Sequence, residues 1–154
     1  MKKKLDFSKP LIVLAPLAGY TDLPFRSVVK KFGADLTISE MISSNALVYK
    51  SARTLKMIEK SPSEDPYFVQ IAGNSAQLVR EAVEILNDVE GIDGIDLNCG
   101  CPAPKVFSHG SGSNLLGDLK KLEEILSTIK KYSKKEYTSA KVRLGDNEKI
   151  PLEI

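Results

Sequence analysis

Cysteine, histidine and tryptophan are scarce in this 154-residue sequence, which has two cysteines, one histidine and no tryptophan. The cysteines, Cys99 and Cys101, stand one residue apart, so they cannot link distant segments, and a disulfide scaffold is excluded. Such sparing use of cysteine is typical of a reducing compartment. A metal site built on both thiols would need two further ligands, and His109 is the one histidine. We therefore expect a cytoplasmic protein without a metal centre.

Long apolar runs are also missing. The longest, residues 11–19, is interrupted by Pro16 and is far too short to span a bilayer. No apolar signal segment follows the basic residues 1–4, so we expect neither secretion nor membrane insertion. The net charge of +2 is close to neutral and indicates no partner by itself. A basic excess in residues 120–143 suits either a polyanion or a solvated helix face.

Short apolar segments alternate with amphipathic ones along the chain. The apolar segments predict strands at residues 11–15, 36–39, 67–71, 94–98 and 139–144. Capping residues predict helix starts at Asp22, at Asn74 or Ser75, and at Asp118, and Gly33 is expected to end the first helix. A strand and a helix repeat about every 30 residues, which indicates βαβ units and a parallel sheet. Pattern alone favours a complete flavodoxin-like sheet over part of a (β/α)8 barrel, because a whole barrel needs about 250 residues.

Glycine, proline and polar residues cluster after the predicted strands, at residues 16–19, 40–41, 72–74 and 99–102. Parallel α/β proteins bind ligands at the carboxyl ends of their strands, so these loops should converge on one site. Cys99 and Cys101 are either small buried hydrophobic residues or include one functional thiol on a glycine-flanked loop. The glycine- and serine-rich residues 110–114 could present backbone N–H groups to an anion.

Two cations, Lys141 and Arg143, alternate along the last predicted strand and so share a face. Buried cations are costly unless they meet an anion, which makes a phosphorylated or electron-rich ligand plausible. An edge strand with both charges in water fits the pattern equally well.

Seven motifs, taken together, resemble the tRNA-dihydrouridine synthase family in order and spacing. They are residues 15–22 (APLAGYTD), 24–26 (PFR), 39–41 (SEM), 69–73 (VQIAG), 96–102 (DLNCGCP), 112–116 (GSNLL) and 141–144 (KVRL). Two positions depart mildly: Leu17 stands where the family often has Met, and Asn114 stands where Ala is usual.

The resemblance implies an α/β fold, the N-terminal portion (about five βα units) of an FMN-binding (β/α)8 TIM barrel. Residues 1–154 would then be a single FMN-binding domain, truncated at its C-terminal end. The rest of the barrel and the family's helical tRNA-binding domain would be absent from this chain.

The resemblance also implies a reaction, in which FMN and NADPH reduce uridine in tRNA to 5,6-dihydrouridine. Carried over by position, Pro16, Leu17 and Ala18 would pack on the flavin ring, Gln70 would bond its edge, and Lys141 would lie near its electron-rich end. Asn98 would lie beside the uracil, and Arg143 and Lys105 would contact RNA or nucleotide. Cys101 would be the general acid, since a thiol carries a proton at neutral pH and can release it. Cys99 has no implied role.

Two other hypotheses remain open at this point. The chain could be an inactive truncated fragment, because an open barrel has unpaired strand edges. It could also be another FMN barrel oxidoreductase that acts on a small molecule, such as a dihydroorotate dehydrogenase-like enzyme. Turnover that depends on tRNA would separate such a small-molecule enzyme from a tRNA-dihydrouridine synthase.

Overall fold

Six parallel strands form one curled sheet in the computed structural model, which describes residues 4–144. The strands are β1 Val13–Leu14, β2 Leu36–Ile38, β3 Ile42–Ser43, β4 Tyr67–Ala72, β5 Gly94–Cys99 and β6 Tyr137–Val142. The α-helices are α1 Leu23–Lys31, α2 Ser44–Val48, α3 Ala52–Met57, α4 Ala76–Asn87, α5 Pro104–Ser108 and α6 Leu119–Tyr132. A 3₁₀ helix spans Gly112–Gly117.

The strand order is β1-β2-β4-β5-β6, and the short β3 pairs with β4 beside this path. This order follows the chain from one edge to the other, as in a barrel. A doubly wound sheet instead reverses its order at a switch point. The N-terminal portion of a (β/α)8 barrel is therefore confirmed, and the flavodoxin-like sheet favoured by pattern alone is wrong.

The two faces of the sheet have different coverings. Alternate residues of β4 and β5 pack against α2, α4 and α6 and form the main apolar core, which includes Val69, Ile71, Ile95 and Leu97. The opposite, inner face has a small apolar cluster near the amino ends of the strands, where the ring of Phe68 stacks on Tyr137 with centroids 5.5 Å apart. We call these two rings the aromatic floor.

Glycine is required beneath the aromatic floor. A Cβ at Gly94 would come within 2.6 Å of the Phe68 ring, a distance that side chains do not tolerate. Gly94 is paired with Phe68 across the two central strands and lets the ring lie flat on the sheet. The missing side chain therefore fixes how β4 and β5 pack on the inner face.

The first strand is shorter than predicted, and the first helix buries little of its apolar surface. The strand expected at residues 11–15 is only Val13–Leu14, and Ile12 is 65% exposed, because β2 is its one partner among the described residues. Helix α1 begins after Asp22, whose side chain accepts a hydrogen bond from the Phe25 amide, and Gly33 follows its end, both as predicted. Its apolar side chains are largely exposed, and the side chain that it buries is Arg26.

Arg26 forms a buried ion pair that ties three segments together. Its Nε donates to Glu64 Oε1 at 2.7 Å, and both side chains are at most 1% exposed. The two terminal nitrogens donate to the carbonyls of Thr21 at 2.9 Å and Glu59 at 2.6 Å. Glu64 also accepts from the Thr37 hydroxyl at 3.0 Å, so the pair joins the starts of α1 and β4 to β2.

The remaining differences concern boundaries. The segment between β3 and β4 contains two short helices, α2 and α3, with Lys50 between them at a φ of 50°. Strand β6 begins two residues earlier than expected, and β5 extends to Cys99. None of the helices in residues 4–144 has the length and hydrophobicity needed to cross a membrane.

Candidate active site at the carboxyl edge of the sheet

A chain of buried side chains crosses the inner face near the carboxyl ends of β4, β5 and β6. Gln70 Nε2 donates to Asp96 Oδ2 at 2.6 Å, and Gln70 Oε1 accepts from Asn98 Nδ2 at 2.8 Å. Ser139 Oγ donates to the other carboxylate oxygen, Asp96 Oδ1, at 2.6 Å. Parallel register places these residues together, because Gln70 pairs with Asp96, and Asp96 with Ser139. Asp96, Gln70 and Asn98 are called the amide chain below.

Asn98 joins the amide chain to the loop that carries Cys101. Asn98 Oδ1 accepts from the backbone amides of Gly100 at 3.2 Å and Cys101 at 2.9 Å. From the other side, the amide and hydroxyl of Ser113 donate to the Cys101 carbonyl at 3.0 and 3.1 Å. Hydrogen bonds therefore hold both the amide and the carbonyl of Cys101, whose side chain is half-buried.

Gly112 allows Ser113 to form these hydrogen bonds with the Cys101 carbonyl. Its φ is +64°, and a Cβ there would lie 2.6 Å from the Cys101 carbonyl oxygen. The amide of Ser113, which the sequence suggested as one donor to a bound anion, is instead bonded to Cys101. Gly112 and Ser113 therefore support the cysteine loop in this structure.

The two cysteines lie in different environments. Cys99 is the last residue of β5, is completely buried in the main core, and burial raises the pKa of its thiol to about 12. Cys101 lies on the loop beyond the strand, at the edge where ligands are expected. Of the two interpretations left open by the sequence, Cys99 is the small buried hydrophobic residue and Cys101 is the loop thiol. Within residues 4–144, no three His, Cys, Asp or Glu side chains are grouped as metal ligands.

Lys141 extends the site toward solvent. It pairs with Asn98 across β5 and β6, and its side chain is exposed on the edge strand. Burial raises the pKa of Asp96, while the hydrogen bonds from Gln70 and Ser139, and then the charge of Lys141, act in the opposite direction. The cation thus lies close enough to influence the buried carboxylate while remaining open to a ligand. Arg143 is likewise exposed, just after the end of β6.

Residues 16–18 form the loop after β1. This loop also lies at the carboxyl edge of the sheet, but β2 separates β1 from β4. Leu17 is 57% exposed, and its amide and carbonyl bond the buried Thr21 hydroxyl, which closes a tight turn. The next residue but one, Gly19, donates its amide to the Glu40 carboxylate after β2. Pro16, Leu17 and Ala18 therefore present an apolar surface at the ligand edge, but two strands away from Gln70.

Lys105 lies apart from the amide chain, in α5. It lines a cavity of about 260 Å³ together with His109, Asn74 and residues at the ends of β3 and β4. A larger cavity of about 550 Å³ lies at the amino ends of β5 and β6, lined by residues 87–93 and 134–136. The amino edge is not where parallel α/β proteins bind their ligands, so the carboxyl edge is the candidate site.

Sequence reasoning missed the roles of three residues in this arrangement: Asp96, Ser139 and Ser113. Asp96 had a readable signal, since an acidic residue two positions before Asn98 in a buried strand must share the inner face with it. Ser139 and Ser113 have no comparable signal, because serine is common in loops and edge strands and their partners are distant in sequence.

Comparison with known proteins identifies the family to which this chain is similar. A family model described as Dihydrouridine synthase (Dus) matches residues 13–152. A probable tRNA-dihydrouridine synthase of Helicobacter pylori (strain ATCC 700392 / 26695) is 59% identical over 151 residues, which cover 97% of this chain and 46% of the relative.

Two more distant relatives show the same pattern of coverage. The tRNA-dihydrouridine synthase B of Xanthomonas campestris is 40% identical over 78% of this chain and 36% of its own length. The tRNA-dihydrouridine(47) synthase [NAD(P)(+)] of Coprinopsis cinerea is 35% identical over 96% of this chain and 22% of its own length. The chain therefore spans about half the length of the Helicobacter pylori relative and smaller shares of the other two.

Proposed function

Because this chain belongs to the dihydrouridine synthase family, we propose that it reduces uridine in tRNA to 5,6-dihydrouridine, with FMN as cofactor and NADPH as reductant. The observation that carries the proposal is the half-buried Cys101, held at the carboxyl edge between Asn98 and Ser113. In this proposal residues 1–154 lie within one FMN-binding barrel domain, and the protein works in the cytoplasm with its tRNA substrate.

The residues at the edge suit the flavin ring. Gln70 and Asn98 each use one amide hydrogen within the amide chain, and each amide group carries a second. With the exposed Lys141 ammonium, they form a set of donors for the carbonyl and nitrogen acceptors of an electron-rich ring edge. The apolar turn of Pro16, Leu17 and Ala18 offers a surface for the ring itself. When bound, FMN would supply the hydride for C6 of the uracil, and NADPH would supply the electrons that reduce the flavin.

The chain itself supplies charge and a proton. Lys141 holds a positive charge near the end of the flavin ring that becomes negative when the flavin is reduced. A charge that is already in place stabilises the developing negative charge and so lowers the activation barrier of the reaction. Cys101 holds its Sγ proton for delivery to C5 of the uracil, and delivery leaves a thiolate. Asn98, which fixes the Cys101 amide, orients the base beside that thiol.

Two exposed cations are candidates for contacts with the RNA substrate. Lys105 and Arg143 are both exposed at the carboxyl edge and can bind phosphates or nucleotides of RNA. A base must leave its stack to reach a residue as enclosed as Cys101, which costs a few kcal/mol and is cheapest in flexible RNA loops. This favours tRNA over a rigid duplex.

The proposal is tested by following flavin reduction and dihydrouridine formation separately. In Cys101→Ala we expect flavin reduction by NADPH to be unchanged and dihydrouridine formation in tRNA to fall by about 10²-fold or more. The matched variant Cys99→Ala should keep both activities. Equal rates in the two variants would exclude Cys101 as the proton donor. Turnover of a free pyrimidine in place of tRNA would instead support a small-molecule oxidoreductase.

Flavin retention tests the cofactor residues. Replacement of Lys141 by Ala should weaken FMN binding, measured as the visible flavin band that remains after gel filtration. Lys130→Ala removes an exposed cation of α6, far from the edge, and should leave the band unchanged. Identical flavin occupancy in both variants would contradict the placement of Lys141.

A further inference from the structure

We propose that Asp96 is a positioning residue, whose carboxylate sets the direction of the amide chain and so orients the backbone that presents Cys101. The structural part of this proposal stands on hydrogen bonds alone. Its consequence for catalysis rests on the proposed function.

The direction follows from the chemistry of the groups. An ionised carboxylate only accepts hydrogen bonds, so Gln70 must turn its Nε2 toward Asp96 and its Oε1 away from it. That oxygen then accepts from Asn98 Nδ2, which leaves Asn98 Oδ1 facing the amides of Gly100 and Cys101. Reversal of either side-chain amide would place two donors or two acceptors face to face.

The location of Asp96 makes this role specific. The carboxylate is 2% exposed, bonds two side chains at 2.6 Å, and accepts from both neighbouring strands. A buried carboxylate costs folding free energy that an apolar residue would avoid, so the acid contributes something other than packing. Two amides that lack a fixed end could rotate, and the backbone amide of Cys101 would lose its fixed acceptor.

A further consequence concerns the ligand. With both amides oriented, their remaining side-chain hydrogens are N–H donors, and the carboxylate is occupied on both oxygens. Asn98, the less buried of the two amides at 9% exposure, thus offers a donor rather than an acceptor beside Cys101. This selects ring edges that carry carbonyl oxygens or unprotonated ring nitrogens, and it disfavours amino-substituted rings, which would meet donor with donor.

The test uses the 154-residue chain without flavin or RNA, and it measures backbone amide hydrogen exchange of Gly100 and Cys101 by NMR. In Asp96→Leu the acceptor is lost, and we expect Cys101 amide exchange to accelerate about tenfold, with amides of α4 unchanged. In Asp96→Asn the remaining oxygen can accept from Gln70, while the Ser139 hydroxyl turns to accept from the new amide. That conservative variant should restore slow exchange.

Two further variants keep the proposal open to contradiction if Asp96→Leu does not fold. Gln70→Leu breaks the amide chain one step nearer to Cys101 and should accelerate Cys101 exchange to the same extent. Ser139→Ala removes a donor that is not part of the chain and should leave exchange unchanged. In a double variant, Asp96→Leu and Gln70→Leu should be non-additive, because both act through one chain.

The outcomes separate this proposal from the proposed function. Unchanged Cys101 exchange in both leucine variants, or an Asp96→Asn variant that behaves like Asp96→Leu, would overturn the positioning role. If the amide chain behaves as expected but no dihydrouridine forms in tRNA, the function fails and the positioning role stands. If both hold, dihydrouridine formation should be retained in Asp96→Asn and lost in Asp96→Leu.

Discussion

At the scale of single residues, the two cysteines show how the end of a strand separates neighbours. Cys99 still belongs to β5 and points into the main core, whereas Cys101 has left the strand and is fixed by loop contacts. Two residues of identical chemistry, with one glycine between them, therefore differ in burial and in the reactivity expected of their thiols.

This difference predicts the pattern of thiol labelling. In the folded chain, a thiol reagent should react with one equivalent, because burial raises the pKa of Cys99 and keeps its thiol protonated. The labelled residue should be Cys101, so Cys101→Ala should abolish the reaction and Cys99→Ala should preserve it. Denaturation should expose the second equivalent. Two equivalents labelled without denaturation would contradict the burial of Cys99.

The buried pair of Arg26 and Glu64 predicts a large stability effect. Arg26→Met removes one partner and leaves the Glu64 carboxylate uncompensated at 0% exposure, which should cost about 3–5 kcal/mol of unfolding free energy. The matched variant Arg80→Met breaks an exposed pair with Glu84 on α4 and should cost far less. Urea titrations of the two variants give the comparison, and equal midpoints would contradict the structural role of Arg26.

At this scale, the sequence predicted site residues through family motifs and not through the periodicity of apolar residues. The resemblance selected Gln70, Asn98 and Cys101, and the structure brings these three together, although their roles remain proposals. Asp96 was missed although its spacing is readable, because an acid two residues before Asn98 in a buried strand shares the inner face with it. Arg26 was missed because α1 has an apolar face that predicts burial of Phe25 and Val28, which the structure leaves about half exposed.

At the scale of elements, capping residues gave the most reliable predictions. The predicted caps Asp22 and Asp118 each accept a hydrogen bond from the first turn of their helix, as does Ser75, one of the two candidates for the α4 cap. A cap acts through residues three positions away, so sequence alone contains the whole interaction. The break between α2 and α3 was not predictable in this way, because Lys50 adopts a positive φ that its sequence does not require.

The cap of α6 gives a prediction with a matched control. Asp118→Ala removes the acceptor of the Lys121 amide, 3.1 Å away, and should destabilise the fold by about 1 kcal/mol. Asp88→Ala makes the same change at the C-terminal end of α4, where a negative charge opposes the helix dipole. It should be neutral or slightly stabilising in thermal unfolding. Equal losses would show that Asp118 does not act as a cap.

At the scale of the whole molecule, alternation of strands and helices could not decide between two architectures. A doubly wound sheet and a barrel use the same βαβ unit, and they differ only in the order in which the strands assemble. That order depends on contacts between strands far apart in sequence. The family resemblance supplied the barrel, and the sequential strand order confirms it.

The sheet should also be unequally stable from centre to edges. Every residue of β4 and β5 is buried, whereas β1 has two residues and β6 is partly or fully exposed along its length. Native-state hydrogen exchange should therefore be slowest in β4 and β5 and faster at both edges. Uniform protection across all strands would contradict this order and would indicate that the edges are covered in solution.

The aromatic floor has a consequence for anyone who wishes to redesign this protein. Phe68 lies two residues before Gln70 on the same face of β4, and the missing side chain at Gly94 leaves room for its ring against the sheet. The inner face below Gln70 is thus filled by a core side chain and not by a loop. Engineers who seek room for a bulkier compound should shorten Phe68 first, and they should leave Gly94 untouched.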